Sequence, residues 1–474
     1  MSLLDRRDVP VSTQNRDSLA RYEAAADQFH SYFGDPLATI DDALAADPHF
    51  IMGHCLRAGM VLTATDKRAL PLARESVKAA ESWSHGANDR ERGHIAAALA
   101  WLAGDLEEAV ERYGAILHDH PRDLLALQIA HLGEFFLGRS TLLRDRVAQV
   151  LPHWSAATPG YGYVLGMHAF GLEETGLYDR AEATGRRALD LNRRDPWAVH
   201  AVTHVMEMQG RLAEGIAWLT SRETDWAPDN AFAYHNWWHL ALYHLDLGDT
   251  ARVLEIYDSH IRPRSSEVVL EMIDATAMLW RLHLRGIPVG DRWRELASAW
   301  EPLAEDAYYA FNDAHAMMAF VADGRAAAAV RLLAALERAA QGEGTNAGMT
   351  RDVALPLAYA LAAFGAGDYE AVVSQLSRVR PVAIRFGGSH AQRDVIALTL
   401  VEAALRAGRA QLARALAAER TDLKPASPFN WSLTGRALVA TGDMDGAAAA
   451  RRTAEALCRP SSGSRLPRNR AAMA

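Results

Sequence analysis

Four histidines in the middle of the chain stand at a spacing that puts ring nitrogens side by side on a helix. The run Ala198-Val-His200-Ala-Val-Thr-His204-Val-Met-Glu207 holds one i, i+4 pair, and His235-Asn-Trp-Trp-His239 repeats it. At 100° per residue, His200, His204 and Glu207 share an arc of about 60° on one face. Two such histidines chelate a divalent cation, with a carboxylate from the same or a neighbouring helix completing the set. The His-Glu-x-x-His order of zinc peptidases is missing, because Ala-Val-Thr separates His200 from His204. Imidazole also titrates near neutral pH, so the same groups suit proton transfer. On that reading His204 or His235 carries the proton and Glu207 orients it. A mutually satisfied polar network, or a pocket that binds without reacting, is the third reading.

Further polar residues recur at matching places. Asp274 lies 12 residues before Gly286, and Asn312 lies 12 before Gly324, followed by Asp313 and, a turn on, His315. Arg351 and Asp352, then Gln392, Arg393 and Asp394, open the corresponding stretches further along, and His168 holds that level in the unit before His200. Arg351 or Arg393 would clamp an anionic group such as a carboxylate. Burying so many polar groups is costly unless they pair with one another, a ligand or water.

What must position them is a periodic glycine. Gly104, Gly138, Gly176, Gly210, Gly248, Gly286, Gly324, Gly367, Gly408 and Gly442 follow one another at 34 to 43 residues. Each ends an apolar helical stretch, and most open a second one, as in Gly104-Asp-Leu-Glu-Glu-Ala-Val. A helix–turn–helix period near 34 residues is the mark of tetratricopeptide-type repeats. With Gly34 and the loop before Lys67, about twelve helix pairs are expected. The fold class is therefore all-α, a solenoid curled into a superhelix, with the first helix of each pair on the concave side. Both histidine pairs then face one surface from adjacent units. Residues 1–17 are expected to be loose, 18–458 to form a single solenoid, and 459–474 to be a disordered basic tail.

Composition narrows the partners. The formal net charge of −9 over 474 residues argues against nucleic acid, whose phosphates call for a basic face. No stretch reaches the roughly 20 apolar residues that span a bilayer, so no membrane partner is expected. Cys55 and Cys458 cannot build a disulfide framework, and a cytoplasmic setting is expected. No Gly-rich phosphate loop, serine nucleophile elbow or paired-cysteine motif is present.

Several runs resemble the tetratricopeptide repeat protein 38 family: Leu165-Gly-Met-His168-Ala-Phe-Gly-Leu-Glu173-Glu, Val199 to Met208, and His235 to Tyr243. Phe311-Asn312-Asp313-Ala-His315, Arg351-Asp352-Val-Ala-Leu-Pro and Gly387-Gly388-Ser389-His390-Ala-Gln392-Arg393-Asp394 extend the likeness over residues 20 to 455. The resemblance implies an all-helical, cytoplasmic repeat protein and no particular reaction.

These readings give one expectation and two alternatives. The expectation is a central pocket lined by His, Glu, Asp and Arg that binds a small anionic ligand and acts on it. The first alternative is a peptide- or protein-binding adaptor. The second is a metal-dependent hydrolase with a divalent cation on His200, His204, His235 and His239.

Overall fold

The computed structural model describes residues 3–459, so all but the first residue of the basic tail lies outside the described residues. Helices pair off in twelve successive units, from Arg16–Ser31 with Pro36–Ala46 to Pro428–Ala440 with Met444–Leu457. The Gly-Asp signature has a direct structural meaning. The glycine takes a left-handed backbone that stops the first helix, with φ of +87° at Gly104 and +77° at Gly367. The aspartate after it caps the second helix: Asp105 accepts from Glu108 N–H, Asp368 from Ala371 N–H and Asp443 from Gly446 N–H.

The two helices of a unit differ in what they bury. The first helices form an inner layer that is enclosed on nearly every side, as in Tyr161–Glu174 and Pro196–Met208. The second helices are amphipathic; Tyr178–Leu191 buries only Ala181, Gly185, Ala188 and Leu189. No helix among the described residues is long and apolar enough to cross a membrane.

The superhelix closes tightly, and each turn rests on the one before it. Ala231 N–H donates to Tyr32 O at 2.8 Å, Thr345 N–H to Gly104 O at 3.1 Å, and His390 N–H to Glu174 Oε1 at 3.0 Å. Each pair joins units about six repeats apart along the chain. Side chains also meet across the interior between units three repeats apart, as where Trp280 Nε1–H donates to Thr399 Oγ1 at 3.0 Å. The interior is consequently filled by side chains, with Trp238, Trp280 and Phe320 fully buried. Polar residues expected to line one chamber are divided between separate cavities, with Asn312 and Asp313 in one and Glu207 and Asp394 in another.

The N-terminus also departs from expectation. Instead of being loose, Leu3–Leu4 pairs antiparallel with Pro10–Val11, and the first helix starts at Arg16 behind an Asn15 cap. The hairpin finds partners on the third unit, where Arg90 and Asn88 donate to Pro10 O and Glu91 accepts from Ser12 N–H. Val9 and Val11 are buried there. These partners are far away in sequence, which is why local composition reads the segment as loose.

The seam yields a test at two glycines with nearly the same backbone. A Cβ on Gly138 would overlap the carbonyl of Ile384 in the next turn, whereas one on Gly176 meets nothing. Gly138→Ala is expected to cost about 3 kcal/mol or more in urea denaturation, since overpacking adds to left-handed strain, and Gly176→Ala about 1. Equal losses would contradict the stacked seam.

Candidate metal centre

The two histidine pairs sit on adjacent inner helices, Pro196–Met208 and Ala233–Asp246. The first is held at its start by buried Asp195, which accepts from Ala198 N–H at 3.1 Å, with Pro196 in the first turn. Side by side, the helices bring four imidazoles into one cluster. Ring centroids are 4.4 Å apart for His200–His204 and His204–His239, 4.8 Å for His200–His235 and 4.9 Å for His235–His239. One nitrogen from each ring can be chosen so that all four lie within 4.8 Å of one another.

Carboxylates on neighbouring helices orient these rings. His235 Nδ1 bonds Asp274 Oδ2 at 2.6 Å, and His239 Nδ1 bonds Glu207 Oε2 at 2.9 Å. A neutral imidazole that donates through Nδ1 keeps its lone pair on Nε2, so both rings are set as ligands. His239 Nε2 faces His200 Nε2 at 3.2 Å, and His204 Nδ1 lies 3.4 Å from Glu173 Oε2. His200 Nδ1, both nitrogens of His204 and both oxygens of Glu173 are buried without a hydrogen-bond partner. Unpaired buried nitrogens and oxygens at this density are costly, and a cation that takes up their lone pairs lowers the cost.

Phe170, Trp197, Phe232 and Trp238 wall the cluster. Burial behind them holds His200 and His239 well below the usual imidazole range and His204 down to about 4, so these three rings are neutral. Glu173 is pushed well above the usual carboxyl range by burial and by neighbouring Glu174. Glu173, Glu174 and His204 form a second group whose ligand atoms also lie within 4.8 Å. Glu174 leads from there to the next turn, with Arg393 3.6 Å from its Oε2.

Of the residues singled out by sequence, His200, His204, Glu207, His235, His239 and Asp274 therefore come together, and Arg393 stands one carboxylate away. The others do not join them. His168 turns toward Arg180, Arg144 and Asp145. Asn312 donates to Thr65 O at 2.8 Å, and His315 bonds Phe311 O at 2.8 Å. Asp313 faces Lys67 and Asp306, its carboxyl pushed up to about 8 by burial. Gln392 completes a capping box with Ser389, and Asp394 pairs with Arg420 at 2.5 Å. Arg351 is exposed and donates to Ala340 O, while Asp352 pairs with Arg385, so Arg351 is no anion clamp for this centre. A shared repeat level does not by itself bring them in: Asn312, Asp313, His315, Arg351, Asp352 and Gln392 lie two to four units along the superhelix from the His235 unit, and His168 lies one unit before that of His200.

Glu173 and Glu174 were not picked out by spacing between histidines. The signal lay in the repeat register, since Glu173 is three residues before Gly176 as Glu207 is three before Gly210.

No family model matches the chain. Among solved structures, the human IFIT1 dimer with m7Gppp-AAAA is similar at 13% identity, over 94% of this chain and 96% of that one, with a TM-score of 0.41. The human IFIT1 dimer with PPP-AAAA aligns at 12% identity over the same shares, with a TM-score of 0.42. Naa15/Naa10 bound to HypK-THB aligns at 12% over 92% of this chain and 68% of that one, at 0.25. Likeness at this level bears on neither the centre nor a ligand.

Asp195, at the root of the His200 helix, supplies a test of the packing that buries the centre. Burial pushes its carboxyl up to about 7. The folded chain then binds a proton that the unfolded chain releases, so this stabilisation is complete below pH about 4 and is lost as pH rises through about 7. Asp195→Asn keeps the cap but cannot ionise. Its stability relative to the parent protein is expected to rise by about 1 kcal/mol or more from pH 4 to pH 8. A difference that stays flat across that range would mean Asp195 is solvated.

Proposed function

We propose that this chain is a helical-repeat metalloprotein whose functional site is a mononuclear centre on His200, His204, His235 and His239. The observation that carries the reading is the pairing of Asp274 and Glu207 with His235 and His239 through Nδ1, which leaves Nε2 lone pairs for a cation. Imidazole ligands suit zinc, copper, nickel and iron, and four of them in a compact set suit tetrahedral zinc. Formal charge agrees: a divalent ion among neutral imidazoles is balanced by Asp274 and Glu207. A small anionic molecule remains the ligand we propose, on the ground of the cations Arg393 and Lys424 that stand beside Glu174 and Glu207.

The runs that resemble the tetratricopeptide repeat protein 38 family contain all four histidines, so the proposal extends to that resemblance. The single solenoid over residues 18–458 belongs to the same reading, because the centre needs inner helices of consecutive units. An adaptor holding an extended peptide is less well supported, since the inner helices on which a peptide would lie are themselves buried, as in Tyr161–Glu174 and Pro196–Met208. A hydrolytic role is less well supported, since four imidazoles would leave no position for water on a tetrahedral ion and burial holds Glu173, beside His204, in its protonated form.

Purification without chelator or nickel resin, followed by elemental analysis, tests the centre. About one equivalent of a first-row transition metal per chain is expected. His204→Ala and His239→Ala should drop it below about a tenth of an equivalent. Asp274→Asn should keep the metal but weaken it by about 10- to 100-fold in chelator competition, as loss of an orienting carboxylate does. A parent protein that holds no metal even after incubation with zinc(II) or cobalt(II) would overturn the proposal.

A further inference from the structure

On the far side of Glu207 from His239 lies a small cavity with an excess of buried cations. Its volume is about 50 Å³, and Arg281, Arg285, Arg420 and Lys424 line it together with Glu207, Asp246 and Asp394. The charges are unevenly matched. Arg420 holds Asp394 at 2.5 Å, and Lys424 reaches Glu207 at 3.4 Å. Asp246 accepts from Ser427 Oγ–H at 2.6 Å and Phe429 N–H at 3.1 Å and is the nearest opposing charge to Arg285, without bonding it.

Arg281 and Arg285 have no carboxylate partner. Arg281 is buried and donates to two backbone carbonyls, Ala277 O at 2.9 Å and Ala391 O at 2.5 Å. Arg285 donates to Leu245 O at 2.6 Å and lies 3.5 Å over the Phe429 ring. Burial pushes the Arg285 guanidinium down to about 9 and lowers Arg281, the direction expected of a cation short of countercharge. A guanidinium has five donors, and a flat oxyanion satisfies them two at a time. Burying a guanidinium such as Arg281 without a bonded countercharge is unfavourable.

We infer that this cavity is a binding site for a small oxyanion, the carboxylate or phosphate group of a metabolite, held by Arg281 and Arg285 with Lys424 at its edge. The size agrees: about 50 Å³ gives room for roughly three or four water-sized groups, enough for one carboxylate or phosphate and too little for a nucleotide. A larger cleft of about 380 Å³ shares Asp394 and Arg420 and gives the rest of such a molecule somewhere to lie. The inference rests on the small-anion part of the function proposed above, not on the metal. Glu207 joins the two regions, its Oε2 on His239 and its Oε1 toward Lys424.

Calorimetric titration of the full chain with inorganic phosphate and with succinate, in a buffer of monovalent ions, tests this. Saturable binding of at least one probe is expected, and the tighter probe names the class. Arg285→Gln and Arg281→Gln should each weaken that binding about tenfold or more, the usual loss for a charge-assisted hydrogen bond. Because each removes an uncompensated buried charge, each variant should also melt no lower than the parent protein, and its melting temperature should no longer rise with the probe. Repeating the titration after metal is stripped separates the two readings. Binding that persists in stripped protein and is lost in Arg285→Gln supports this site whatever the fate of the metal. Binding lost on stripping but kept in both variants would place the anion on the metal and overturn the site. Absence of saturable binding of either probe at millimolar concentration would overturn it as well.

Discussion

The stacking of one superhelical turn on the next is the constraint from which the rest follows. Hydrogen bonds such as Thr345 N–H to Gly104 O and His390 N–H to Glu174 Oε1 hold units that are far apart along the chain. An isolated row of helix pairs would leave its inner helices wet on one side. Stacking removes that water, and every polar group on an inner helix must then find a partner within the protein or from a ligand. Many do so through distant parts of the chain: Asn312 donates to Thr65 O, and Trp280 to Thr399. The four-histidine cluster is a place where such pairing runs out.

That shortage gives the centre its chemistry. Asp274 and Glu207 settle the tautomers of His235 and His239, while His204 and Glu173 keep lone pairs with no protein donor. Apolar walls keep His200, His204 and His239 neutral, so these three compete for a metal and not for protons. The cationic cavity beyond Glu207 repeats the logic with the opposite sign. There the stacked turns bury guanidinium groups that lack carboxylates, and an oxyanion is the natural complement.

Much of the fold was legible in the chain because it is written locally. Repeat glycines and the aspartates that follow them act within a few residues, so the twelve pairs could be counted directly. The histidine cluster was legible for the same reason, since two i, i+4 pairs in adjacent units need only neighbouring helices to meet. What sequence did not convey was the rise of the superhelix. Arg351, Asn312 and Gln392 occupy the repeat level of the centre, yet they lie two to four units further round the superhelix, where each serves the surface, the seam or a cap. The N-terminal hairpin and the paired roles of Glu207 likewise depend on contacts made by residues distant in the chain, which no local pattern encodes.

The central claim is that imidazole nitrogens from two adjacent units share one metal ion. X-ray absorption at the metal edge, on protein loaded with one equivalent of zinc, reads that first coordination sphere directly. The account predicts a shell of four nitrogen scatterers at about 2.0 Å with the multiple-scattering pattern of histidine rings. A shell dominated by oxygen or sulfur, or one unaltered in His204→Ala, would contradict it.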